Sequence, residues 1–116
     1  MKTLRSYVQG GWHQADTGFA PLHNPCTEEP IAQAGSAGID FGAALAYARD
    51  RGGAALRELT FAQRGALLGA MSKALYEKRD ELIELSSLNT GVTRKDAKFD
   101  LDGATFTLSY YAKLGE

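Results

Sequence analysis

Residues 60–91, TFAQRGALLGAMSKALYEKRDELIELSSLNTG, decide how this chain folds. Thr60 followed by Gln63 is a capping box, in which each side chain satisfies a backbone N–H that a first helical turn leaves unpaired. A helix therefore begins there. Leu67, Leu68, Met71, Ala74 and Leu75 recur at three- and four-residue steps, with Lys73, Glu77 and Lys78 mainly outside the stripe, which predicts one core face and one solvent face. From Asp80 to Leu88 the pattern repeats with Leu82, Ile83, Leu85 and Leu88, and Gly91 is placed to close this second helix in the left-handed conformation. Gly65 and Gly69 lie four apart inside the first helix, where each costs about 1 kcal/mol relative to alanine. Close approach of another backbone is the expected reason for such a pair, with neutral drift as the alternative. The membrane-dimer reading of G-x-x-x-G fails because Gln63, Arg64 and Lys73 flank it.

Beyond Gly91, Thr93 and Asp96 mark another helix start. Ala97, Leu101, Ala104, Leu108 and Tyr111 form its stripe, while Gly103, Thr105 and Thr107 lower its intrinsic propensity. Phe99, Phe106 and Tyr110 lie on a second apolar flank. A helix apolar on two flanks sits between two layers, and these residues supply only one.

Before Thr60 the signals change. In LRSYVQGGWHQ (4–14) a hairpin is expected, turning at Gly10-Gly11 because both turn positions need positive φ. Pro21 to Ala34 gives a second extended pair around Asn24, Pro25, Cys26, Thr27 and Glu28, and Pro25 and Pro30 exclude a helix. Gly35 to Gly38 lacks both the G-x-G-x-x-G and the Gly-Lys-Ser/Thr patterns and reads as a connector. Asp40 is an N-cap for a helix with Phe41, Ala44, Leu45 and Ala48 on one face, Arg49 and Arg51 near its end, and Gly52-Gly53 as its stop. Ala54 to Leu59 is expected to form a short helical turn.

A chain of 116 residues supports a single core. With 13 basic and 14 acidic side chains the formal net charge is -1, which leaves no electrostatic footprint for nucleic acid or an anionic membrane surface. No apolar run approaches the roughly 20 residues of a membrane span, and MKTLRSYVQGG has no secretory core, so a cytoplasmic location is expected. The single cysteine, Cys26, agrees with a reducing compartment.

The candidate chemistry is sparse. Cys26 has only His23 near it in sequence, three residues back in an extended segment, and lacks the base and oxyanion site a nucleophile needs. His13, His23 and Cys26 match no structural zinc spacing. Tyr110 and Lys113 are three apart where a Tyr/Lys reductase pair uses four, which favours packing aromatics. Asp100 and Asp102 flank Leu101 on the last helix and project about 200° apart, so they do not form an acid/base pair.

In its order of elements the chain resembles the N-terminal quarter of an aldehyde dehydrogenase. The residues that carry the resemblance are YVQGGW, the turn HNPCTEEPIAQAG, the helix pair at 60–91, and DLDGATFTLSYYA. LHNP, ALAYARDRGGAALRELTFAQRGALL and TRKDAKFDLDGATFTLSYYAKLG are most similar to the bifunctional ring-cleavage proteins of phenylacetate degradation, which join an NADP-dependent semialdehyde dehydrogenase to a hydratase-like domain. Glu28 stands where the family turn usually carries glycine, which implies either a different turn type or a small left-handed strain at that residue.

The resemblance implies an α/β fold of which this is the N-terminal part of the cofactor-binding domain, mostly helical, with one or two β-hairpins in residues 1–38 and helices in 39–116. It implies no catalytic residue and no cofactor-binding residue here, since the family's nucleophilic cysteine, general-base glutamate, asparagine oxyanion donor and nucleotide-binding unit come later in the chain. NADP would be held by the rest of the polypeptide, the main partner of this segment, within a homo-oligomer. Some relatives bind a monovalent cation at a DLD stretch, which implies a cation site at Asp100 and Asp102. The alternative to a catalytically incomplete enzyme segment is a small helical interaction module without enzymatic activity.

Overall fold

The computed structural model describes residues 1–116, which form two compact units, 1–55 and 56–116. No helix is long and apolar enough to cross a membrane.

The first unit holds five short strands: β1 (Lys2–Thr3), β2 (Ser6–Val8), β3 (Gly11–His13), β4 (Ala20–His23) and β5 (Pro30–Ala34). β2 and β3 form the first expected hairpin, but the turn sits one residue earlier than expected. Val8 pairs with Gly11, so the turn residues are Gln9 (φ 52°) and Gly10 (φ 77°), and Gly11 belongs to β3. This register places Tyr7 opposite Trp12, whose rings meet edge to face at 5.1 Å. The aromatic cross-strand pair offsets the cost of a non-glycine residue at positive φ. Gly10 has a second reason to be glycine, since a β-carbon there would lie 2.8 Å from the Tyr47 hydroxyl.

β4 and β5 form the second hairpin, antiparallel, around a turn in which Glu28 N–H donates to Asn24 O at 2.8 Å and Asn24 N–H to Glu29 O at 2.9 Å. Glu28 has φ 63°, so of the two outcomes its place in the turn implied it takes the left-handed strain. β1 adds to β5 in parallel, giving the order β1-β5-β4, a pairing that no local signal announced. The covered residues of this unit are small: Ala15 and Ala32 are buried.

Asp40 caps α1 (Phe41–Tyr47), its carboxylate accepting from Ala43 N–H at 2.9 Å. Gly52-Gly53 does not stop the helix. Ala48–Gly53 widens into a π-helical turn and continues as α2 (Ala54–Arg57). Glycine tolerates the wider turn without a side chain to crowd it, and Arg51 lies over the Tyr47 ring at 5.6 Å on the same segment.

The second unit is built from α3 (Phe61–Glu77), α4 (Arg79–Thr90) and α5 (Arg94–Leu114). The Thr60–Gln63 capping box forms as read, with bonds of 2.9 and 3.1 Å, Gly91 closes α4 at φ 75°, and Thr93 caps α5 through Asp96 N–H at 3.2 Å. α3 and α4 both pack on α5. Ile83 of α4 and Ala97 of α5 are completely buried.

The covered face of α3 keeps Leu68 and Leu75 of the predicted stripe and departs from it at the other positions. Gly65, Leu68, Gly69, Ser72 and Leu75 are buried or half-buried, whereas Leu67, Met71 and Ala74 are exposed. The reason is close packing: a β-carbon on Gly65 would lie 2.5 Å from Ala112 O, and one on Gly115 would run into the Phe61 carbonyl. Where the backbones come this close only small residues fit between them, so Leu67 and Met71 fall outside while Leu68 and Leu75 flank the contact half-buried. α4 buries Ile83 and half-buries Leu82 of its predicted stripe but leaves Leu85 and Leu88 exposed. On α5 the expected stripe holds at Ala97, Leu101 and Leu108, while Ala104 and Tyr111 give way to Thr105, Ser109 and Ala112.

Candidate functional site

The second unit gathers its polar side chains in the seam between α3 and α5. Ser72, one turn beyond Gly69, reaches α5 because the glycines bring the helices together. Its hydroxyl donates to Thr105 O at 2.9 Å and lies 3.0 Å from Ser109 Oγ, which must then donate to Ser72. Thr105 turns its own hydroxyl back on its helix, to Leu101 O at 3.3 Å and Asp102 O at 3.2 Å. At the end of the seam Arg79 Nε and Nη2 clasp Asp102 Oδ1 and Oδ2 at 2.7 and 2.9 Å. This bidentate hydrogen-bonded pairing lowers the Asp102 pKa and raises that of Arg79. Ser72, Tyr76, Arg79, Asp102, Thr105, Phe106 and Ser109 line an open groove of about 370 Å³.

The seam joins helices and has no reacting pair. Ser72 has two hydrogen-bond partners, a carbonyl and a hydroxyl, and neither accepts a proton as a general base does. Ser72 and Arg79 are the residues that reading the sequence passed over. The signal was available for Ser72: it is the polar member of the series Gly65, Gly69, Ser72, at steps of four and three. For Arg79 there was none, because its partner is 23 residues away.

The residues singled out from the sequence are scattered. Cys26 is exposed in the β4–β5 turn, with its N–H bonded to Asn24 Oδ1 at 2.9 Å. His23 ends β4, paired with Pro30. His13 ends β3 and its Nε2 lies 2.7 Å from Ala37 O, holding the connector before α1. Asp100 is exposed on α5 and Asp102 is occupied by Arg79. No group of three histidine, cysteine or acidic side chains is gathered for a metal ion.

The helix start at Phe41, after the Gly35–Gly38 connector, is capped by the Asp40 carboxylate. A phosphate would meet that negative charge where helix N–H groups would otherwise receive it, so this helix start does not fit the pyrophosphate of a nicotinamide dinucleotide.

The profile of the Aldehyde dehydrogenase family matches residues 12–116. The chain is 43% identical over 113 residues to the 3,4-dehydroadipyl-CoA semialdehyde dehydrogenase of Aromatoleum evansii, covering 97% of this chain and 22% of that protein. It is 34% identical over 99 residues to a probable betaine aldehyde dehydrogenase of Schizosaccharomyces pombe, covering 83% of this chain and 20% of that protein. A solved NAD-dependent benzaldehyde dehydrogenase from Corynebacterium glutamicum shares the fold with a TM-score of 0.84 at 22% identity, covering 96% of this chain and 24% of that one. The chain thus spans about a fifth of the length of the curated relatives it matches. With the profile running through both units, the chain belongs to the aldehyde dehydrogenase family.

Proposed function

We propose that the polypeptide carrying this chain oxidises a CoA-linked semialdehyde, produced by ring cleavage in aromatic (phenylacetate) catabolism, to the corresponding acid. Aldehyde, water and NADP⁺ give carboxylate, NADPH and protons. The observation that carries this reading is the 43% identity over 97% of the chain to a semialdehyde dehydrogenase of that substrate class, against 34% and 30% to two betaine aldehyde dehydrogenases. In this reading the chain contributes no reacting group. Its helices buttress the remainder of the same polypeptide, in a cytoplasmic homo-oligomer, and the nucleotide is held elsewhere.

A monovalent cation near Asp100 or Asp102 belongs to the same proposal. At Asp102 it would have to displace Arg79, and at Asp100 it would need backbone carbonyls to complete its shell. Equal stability in sodium and in a bulky organic cation at matched ionic strength removes it.

The deciding experiment is NADPH formation at 340 nm by the full polypeptide, comparing an acyl-CoA semialdehyde with simple aliphatic and aromatic aldehydes under NADP and NAD. Faster turnover of the CoA-linked substrate with NADP supports the proposal. Equal or better rates with simple aldehydes and NAD reduce it to aldehyde oxidation of another substrate class.

A further inference from the structure

α5 is apolar on two opposite sides. Ala97, Leu101, Leu108 and Ala112 are buried or half-buried where α3 and α4 pack. Across the helix, Phe99, Phe106 and Tyr110 are 80%, 71% and 52% exposed. At about 100° per residue these three fall with Gly103 in a single sector of about 60°. Phe106 and Tyr110 stack with centroids 6.5 Å apart.

Gly103 sits in the middle of that stripe, four residues after Phe99 and three before Phe106. It is helical, so no left-handed backbone demands glycine, and a β-carbon there would meet nothing within 4 Å. Its carbonyl receives the Thr107 hydroxyl at 2.8 Å. Nothing within these 116 residues requires glycine at this point. The same unit shows what a helical glycine accomplishes at Gly65, where the Ala112 carbonyl occupies the space a β-carbon would take.

We propose that Gly103 is a second such notch, the point at which backbone from the remainder of the dehydrogenase polypeptide crosses α5 between Phe99 and Phe106. The occupant follows from length and chemistry. The chain is 22% and 20% of two relatives that match it over 97% and 83% of its residues, so most of the polypeptide in those relatives is available to cover this face. None of the four residues in the stripe is charged, so the crossing segment is an apolar helix or strand. The inference rests on the reading that this chain works inside a longer dehydrogenase, and not on its substrate.

The test places Gly103→Ala and Gly103→Leu both in residues 1–116 and in the full polypeptide. In residues 1–116, Gly103→Ala should leave the unfolding midpoint unchanged or raise it, because alanine is the better helix former and meets no atom. In the full polypeptide, Gly103→Leu should lower Tm by at least about 3 °C, and Gly103→Ala should lower it less. If the leucine variant yields no soluble full polypeptide, the alanine variant is read alone: a fall in Tm supports the notch and a rise overturns it. Wild-type melting of Gly103→Leu in the full polypeptide, with NADPH formation intact, overturns the notch and leaves the proposed function standing. A lowered Tm in a polypeptide that oxidises no aldehyde supports the notch and removes the function. A concentration-dependent dimer of residues 1–116 that Gly103→Leu abolishes, with the Tm of the full polypeptide unmoved, assigns the face to a second copy and overturns the proposal.

Discussion

Gly65 and Ala112 are in such close contact that a β-carbon on the glycine would sit 2.5 Å from the alanine carbonyl oxygen. Four residues on, a β-carbon on Gly69 would meet the Ala112 methyl at 3.9 Å, an ordinary contact. The two glycines of one sequence motif therefore have opposite expectations. Gly65→Ala must push α3 and α5 apart and should destabilise by about 1–3 kcal/mol, the range for overpacking. Gly69→Ala should be neutral or stabilising by up to about 1 kcal/mol, from helix propensity. Urea denaturation of the two variants measures this, and equal shifts would contradict the packing.

Ser72 ties α3 to α5 through two hydrogen bonds in a buried position. Ser72→Ala should cost about 1 kcal/mol, the usual net worth of such a bond. Ser72→Val also forces volume into a seam sized for small residues and should cost more. A valine variant as stable as wild type would mean that the seam is loose.

The Arg79–Asp102 pair links stability to pH. Asp102 is held below its usual pKa by the guanidinium hydrogen bond, so its contribution is fully present above the unfolded value of about 3.9. It is lost as pH falls through the lower folded value. The stability difference between wild type and Asp102→Asn should thus be constant above about pH 5 and shrink below about pH 4. Salt should reduce it, because Asp102 is exposed and Arg79 only half-buried. A difference that grows on acidification would reverse the assigned sign.

Cys26 is exposed in a turn whose backbone is held by Asn24, with no base beside it. Cys26→Ala in the full polypeptide should leave kcat within a few-fold of wild type. A hundredfold loss with the fold intact would make this thiol a participant.

Residues 1–116 alone should not bind NADP with Kd below about 100 μM, roughly 5.5 kcal/mol. The helix start at Phe41 is closed by the Asp40 carboxylate rather than opened to a phosphate. Isothermal titration calorimetry measures this, and saturable binding below that limit would place part of the nucleotide site in this chain.

The sequence by itself determined where α1, α3 and α5 start and where α4 stops. Thr60 with Gln63, Thr93 with Asp96, Asp40 and Gly91 all act as read, because a cap is a contact between residues three or four apart and needs no tertiary partner. Glu28 in the left-handed region was one of two outcomes implied by the family turn, which usually carries glycine there. Which face of each helix is covered was decided by tertiary structure. Of the predicted stripe, Leu68 and Leu75 are covered, but Leu67, Met71 and Ala74 give way to Gly65, Gly69 and Ser72; the two sets share one periodicity, and apolar spacing does not distinguish a face made of large residues from one made of small residues. The backbone of Ala112, 47 positions from Gly65, selected the second. The β1–β5 pairing, the Arg79–Asp102 clasp and the one-residue shift of the Gln9-Gly10 turn likewise depend on partners across strands or helices, whose positions only the folded chain fixes.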